Sequence, residues 1–266
     1  MMNKLIYGIW IVFFHSFVTQ SQVLNIDRVT ESDSIFKKFR AYTTLSFSNE
    51  KQKKALIDFT NKTELNYFLP KKYLVVFLSQ VDMAFNGKTI NENNGFFQAR
   101  FRDNDSRKVS PDVFTQYQWN GIQGMEYRFL NGINARFKFL EKKKSDLYTG
   151  IGVFYEAEKW NPNLPSFAFK NIALNTVYRN MFRLNCSAKF AIKLSKAIDF
   201  SGSTFLQFPL NAHFGSPRWF FDSNLNFNVS KYWSFILHYD HNFDAFRPLP
   251  IDQYYYAMTL GIQLKV

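Results

Sequence analysis

From about residue 39 onward the chain alternates apolar and polar residues at period two, in runs of about 10–15 residues, and no segment there repeats at the helical period. The last run shows it best. Tyr254, Tyr256, Met258, Leu260, Ile262, Leu264 and Val266 share one face, with Tyr255, Ala257, Thr259, Gly261, Gln263 and Lys265 on the other. Residues 232–243 set Trp233, Phe235, Leu237, Tyr239 and Phe243 against Ser234, His238, Asp240 and Asn242. Residues 219–229, 178–194, 147–158 and 126–139 alternate in the same way. Further strands are expected near 39–49, 54–69, 72–86, 95–103, 111–119 and 197–208; the first half of 72–86 is apolar on both faces, so its facing stays open. Soluble strands run about five or six residues. A tilted strand crossing a bilayer takes about 9–11. The fold expected is therefore all-β, a membrane-spanning antiparallel barrel of about twelve strands.

The connections agree with that reading. Short turns fall at 70–72, 142–146, 194–197 and 230–231, and longer loops at 86–94, 159–175, 209–217 and 244–252. Short turns on one side and long loops on the other are the habit of outer-membrane barrels. Connections 50–53 and 120–124 are short where long ones are expected, and 104–110 is long where a short one is expected. An even strand count returns both ends of the barrel to the short-turn side.

Alternation alone does not say which face points outward, because a soluble sandwich buries its apolar face and a membrane barrel exposes it. Aromatic residues near strand ends (Tyr254, Tyr256, Trp233, Trp219 and Trp119) favour a membrane girdle. So does the start of the chain. Lys4 precedes an apolar run from Leu5 to Val18, and Thr19 and Ser21 are small, which reads as a signal peptide over 1–21 cut before Gln22. Residues 22–37 then form a periplasmic lead-in and 38–266 the barrel. An exported soluble barrel, such as a lipid carrier, is the alternative architecture.

Composition closes other routes. Cys186 is the single cysteine, which excludes a disulfide framework and a Cys-rich zinc site. A mean hydropathy of −0.26 excludes a bundle of membrane helices. The net charge of +12 raises the question of an anionic partner. Export argues against nucleic acid and for phosphorylated outer-membrane lipid, including lipopolysaccharide. The barrel-assembly machinery is the other expected partner, and the barrel is expected to be a monomer.

Chemistry is sparse in the sequence. His238 and His241 are three apart, so on a strand they point to opposite faces and cannot share a metal. His213 lies beside Phe214-Gly215-Ser216, and Ser223 sits on the predicted lipid-facing side, but no third residue completes a catalytic constellation. No catalytic, metal or cofactor residues are assigned and no cofactor is expected. The inward charges carry more information. Arg128, Arg136, Lys138, Arg179 and Arg183 are expected to meet Glu156, Glu158, Asp199, Asp222 and Asp240 in a lumen network, with Arg100, Arg102, Lys189, Lys193, Glu64, Asp82 and Glu126 also inward. Lys51, Lys53, Lys54, Lys88, Lys159, Lys170, Arg218 and Arg247 are expected on outward loops, where each cation near an anionic surface gains about 1 kcal/mol.

Several segments resemble a known family. They are Val113–Trp119, Tyr127–Gly132 with Arg136, Gly150–Glu158, Phe182-Arg183-Leu184, Gln207–Leu210 and the C-terminal strands. In this order, over roughly 38–266, they resemble the salt-induced outer-membrane protein family, also called domain of unknown function 481. The resemblance implies a β-barrel in the outer membrane of a diderm bacterium. The activity of that family is not established, so no catalytic residue is implied. The function expected is a structural, envelope-stabilising barrel with a charge-filled lumen and no enzymatic activity. A narrow anion-leaning channel or transporter is the first alternative, and a lipid-acting enzyme of the outer membrane the second.

Overall fold

The computed structural model describes residues 38–51, 55–70, 73–103, 108–142, 144–165, 175–211 and 213–265. The expected signal peptide (1–21) and lead-in (22–37) lie outside the described residues.

Twelve antiparallel strands close into one barrel: β1 (Phe39–Lys51), β2 (Ala55–Phe68), β3 (Tyr73–Asn86), β4 (Thr89–Asp103), β5 (Val109–Asn120), β6 (Met125–Lys142), β7 (Ser145–Trp160), β8 (Val177–Lys193), β9 (Ile198–Pro209), β10 (Arg218–Asn228), β11 (Trp233–Asp244) and β12 (Tyr254–Lys265). Each strand pairs with its sequence neighbours, and β1 closes on β12. The strands span 11 to 18 residues, so each is long enough to cross a bilayer when tilted. The closing seam is the shortest. Among the described residues Tyr42–Leu45 pair with Ile262–Lys265, whereas every other seam pairs nine residues or more.

The facing question has a clear answer. Apolar side chains point outward: Phe47 is 68% exposed, and Phe139 and Leu260 are 76% exposed. Polar and charged side chains point inward and are buried, among them Asn66, Gln98, Gln116, Arg128, Glu156 and Arg183. This is the inside-out arrangement of a barrel set in lipid, and it removes the soluble lipid carrier. The ambiguous stretch 72–86 resolves the same way: Leu74, Val76 and Leu78 turn inward and Phe77 and Met83 outward.

Outward aromatics cluster at the strand ends. Trp219, His241 and Tyr254 pack with ring centroids 5.0 and 4.9 Å apart, and Phe243 joins Tyr254 at 5.3 Å. Trp219 Nε1 donates to Thr204 Oγ1 at 2.8 Å, the usual arrangement of an apolar ring with a satisfied polar tip at an interface. Trp160 departs from this pattern. It is fully buried inside the lumen.

One connection differs from the sequence reading. The expected loop 86–94 is a two-residue turn, with Asn86 opposite Thr89. Gly87 has φ 63°, the positive value that primed hairpin turns require at their first central position. Residues 89–94 continue β4. Their polar character suggested a loop, but Glu92 and Asn94 are buried in the lumen and Trp119 Nε1 donates to Asn93 Oδ1 at 2.9 Å. Gly95 leaves room for that indole, since a Cβ there would stand 2.7 Å from the ring.

Candidate functional site

The end of the barrel that carries the long connections is here termed the loop end, and the opposite end the turn end. Just below the loop end, inward residues of five strands meet in one layer of charge. Arg128 comes from β6, Glu156 and Glu158 from β7, Arg179 and Arg183 from β8, Arg218 from β10 and Asp244 from β11. Their β-periodicity explains the meeting: Glu156 and Glu158 are two apart and Arg179 and Arg183 four apart, so each pair shares one face of its strand.

Glu156 is the hub. It accepts from Arg128 Nε at 2.7 Å, from Arg183 Nε at 2.9 Å and from Arg218 Nη1 at 3.0 Å, and Arg128 Nη2 also binds it. Glu158 accepts from Arg179 Nε at 2.8 Å, from Trp160 Nε1 at 3.0 Å and from Arg218 Nη2 at 3.3 Å, with Arg128 Nε 3.2 Å away. Arg218 also donates to Asp244 Oδ2 from Nε at 2.9 Å and from Nη2 at 2.7 Å. Because β7 and β10 are not neighbours, Arg218 reaches across the lumen and ties two walls together. Four arginines thus face three carboxylates, all nearly or fully buried. Removing one partner of such a network strands its partners in a dry interior at a cost of about 3–5 kcal/mol.

Two apolar layers bracket this charge. Toward the turn end lies a belt of Phe114, Leu130, Phe154, Phe205 and Phe220, all inward and buried. Gly132 makes the belt possible, because a Cβ there would come 2.5 Å from Phe154 Cβ and 2.8 Å from the Phe114 ring. Toward the loop end, the connection between β11 and β12 folds over the opening. Its Leu249 and Ile251 pack with Met125 and Trp160 as a buried cluster. Arg179 Nη1 donates to the Phe246 carbonyl at 2.6 Å, and Arg247 Nη1 donates to Gln123 Oε1 at 2.7 Å on the opposite side of the mouth. His213 stacks on Phe246, with centroids 4.1 Å apart. Burial draws the Arg247 guanidinium below the usual arginine pKa, against the pull of Asp244.

Arg218 and Arg247 were expected on outward loops and are instead inside. Arg218 holds the first inward position of β10, and Arg247 belongs to a connection that folds in as a lid. Glu126, expected inward, sits at a register shift in β6. There it accepts from Lys159 Nζ at 2.6 Å and from Asn161 Nδ2 at 3.0 Å at the rim.

The other expected network residues lie elsewhere in the lumen. Asp222 stands 3.6 Å from Lys62 Nζ and 3.5 Å from His238 Nε2, and Asp240 is 3.4 Å from the same histidine nitrogen. Asp199 accepts from Asn228 Nδ2 at 2.6 Å. Arg136 lies over the Tyr148 ring at 4.0 Å, and Lys138 is half-buried further toward the turn end. His238 points into the lumen and His241 outward, as strand geometry requires. Among the described residues no group of three or more His, Cys, Asp or Glu is arranged to hold a metal ion.

No protein-family model matches the chain, and no curated protein matches it. Solved structures do. The NanC porin is 9% identical, with 85% of this chain and 97% of that one covered and a TM-score of 0.44. The translocator domain of autotransporter NalP from Neisseria meningitidis is 12% identical, covering 87% and 90%, also at 0.44. A refined porin is 8% identical, covering 86% and 99%, at 0.34.

Proposed function

We propose that this chain is a monomeric outer-membrane barrel of a diderm bacterium that stabilises the envelope without catalysis, its lumen closed to through-passage. One observation carries the reading: three successive layers, the apolar lid, the arginine–carboxylate layer and the phenylalanine belt, occupy the lumen toward the loop end. A conduit keeps polar, hydrated walls along its path. Here the path would cross two apolar layers and a charge network whose arginines are tied to carboxylates. The short turns then face the periplasm and the lid faces outward, where the neighbouring lipid is phosphorylated. Assembly would pass through the barrel-assembly machinery. The resemblance to the salt-induced outer-membrane family supports the same location and, like it, supplies no substrate.

The test is solute flux. Proteoliposomes carrying the refolded barrel are expected to swell in isosmotic arabinose no faster than empty liposomes. Swelling at the rate of an open porin would contradict a sealed lumen.

A further inference from the structure

The turn-end half of the lumen is built differently. Below the phenylalanine belt, between Phe205 and the short turns, a cavity of about 40 Å³ is lined by Arg100, Arg102, Arg136, Lys189, Asp112 and Tyr148. Four cations face one carboxylate there. Asp112 is shared, at 3.0 Å from Arg100 Nη1 and 3.7 Å from Arg102 Nη2. The arginines 100 and 102 are both more than nine-tenths buried, and Arg100 Nε, also buried, has no protein acceptor. Buried guanidinium donors normally find one.

Two glycines shape the wall beside the cavity. Gly150 and Gly152 take two successive inward positions of β7. A Cβ on Gly150 would come 2.7 Å from Ser187 Oγ, and one on Gly152 2.0 Å from Asn134 Oδ1. Gly150 lines the cavity, and both glycines let the side chains of Asn134 and Ser187 approach β7 closely. The Tyr148 ring beneath Arg136 and the Phe114 ring 5.3 Å from Arg100 hold both guanidiniums by cation–π contact. Around the turn end, Lys108, Lys142, Lys144, Lys193, Lys196 and Lys231 are exposed, so an anion meets a positive rim before it reaches the cavity.

We propose that this cavity is an oxyanion site that takes a compact group of the phosphate or sulfate class, held by Arg100, Arg102, Arg136 and Lys189. Its volume holds about three waters or one tetrahedral oxyanion. A larger molecule would present the anion end-on and leave the rest toward the turns. The site is a dead end beneath the belt, so it stands whether or not the loop end is sealed.

Isothermal titration of the refolded barrel in neutral detergent at low ionic strength tests it. Inorganic phosphate is expected to bind saturably at one site, and sulfate to compete. Lys189→Gln and Arg136→Gln are each expected to weaken phosphate about tenfold, the worth of one charge-assisted hydrogen bond. Lys231→Gln on the rim is expected to change it less than twofold. Glycerol 3-phosphate binding as well as phosphate would identify an anion carried on a larger molecule. Rejection of glycerol 3-phosphate with phosphate retained would identify the free ion. Both lumen variants are first shown to migrate as folded barrels on unboiled gels. No saturable phosphate binding by the native barrel, or binding that both lumen variants leave unchanged, overturns the proposal.

Discussion

The loop-end layer and the turn-end cavity draw on the same side chains and reach opposite results. At the loop end four arginines meet three carboxylates, and Glu156 is bound by three of those arginines. At the turn end four cations line a cavity with one carboxylate, Asp112. The difference comes from glycine and spacing. In β7 the positions facing the loop end carry Glu156 and Glu158, which fill the lumen and neutralise their neighbours. Past Phe154 the same face carries Gly152 and Gly150, which put no charge into the lumen and let Asn134 and Ser187 approach the strand. Four arginines tied to three carboxylates fill the loop-end lumen, whereas four cations with one carboxylate line a cavity at the turn end, where we propose an anion binds.

The largest expected break in that comparison is Glu156→Gln. It removes the charge that three arginines share, and the barrel is expected to lose about 3–5 kcal/mol, read as a lower urea midpoint in detergent. Arg183→Ala belongs to the same class. Phe154→Ala, in the belt that separates the two regions, is expected to cost about 3 kcal/mol through the cavity it opens. Asp112→Asn should cost less, about 1.5–3 kcal/mol for the charged hydrogen bond it loses. The same variant should tighten phosphate binding, because it removes the one anion in the cavity. Lys142→Ala, on an exposed turn, is expected to stay within about 0.5 kcal/mol. Equal midpoints for Glu156→Gln, Asp112→Asn and Lys142→Ala would show that the two regions do not differ in the way described.

Much of the architecture was legible because period two is a local property. The twelve strands, the outward face of β12 and the opposite facing of His238 and His241 follow from alternation and strand geometry. The inward charges Arg128, Glu156, Glu158, Arg179 and Arg183 were legible for the same reason. Which of them meet was not. Contact across the lumen depends on shear and on which walls approach, so alternation does not tell that Asp222 and Asp240 flank His238 or that Arg136 lies over Tyr148. Arg218 and Arg247 were read as loop cations because they sit beside long connections. Their burial depends on a lid whose Leu249 and Ile251 look like ordinary loop residues until Met125 and Trp160 are beside them. A better signal existed in Arg218: it falls in phase with Asp222 and Asn224 on the inward face of β10. The apolar belt was hidden by the opposite error. Phe114, Phe154 and Phe220 occupy inward positions where alternation leads one to expect polar residues.

We propose a lumen closed at the loop end and cationic at the turn end. Single-channel recording in planar bilayers tests it most directly, with the native barrel beside a variant carrying Leu249→Glu and Ile251→Glu in the lid and Phe154→Ala and Phe220→Ala in the belt. Silence is expected across many insertions of the native protein, and steps with an anion-favouring reversal potential once lid and belt are both breached. Steady conductance from the native barrel would contradict it.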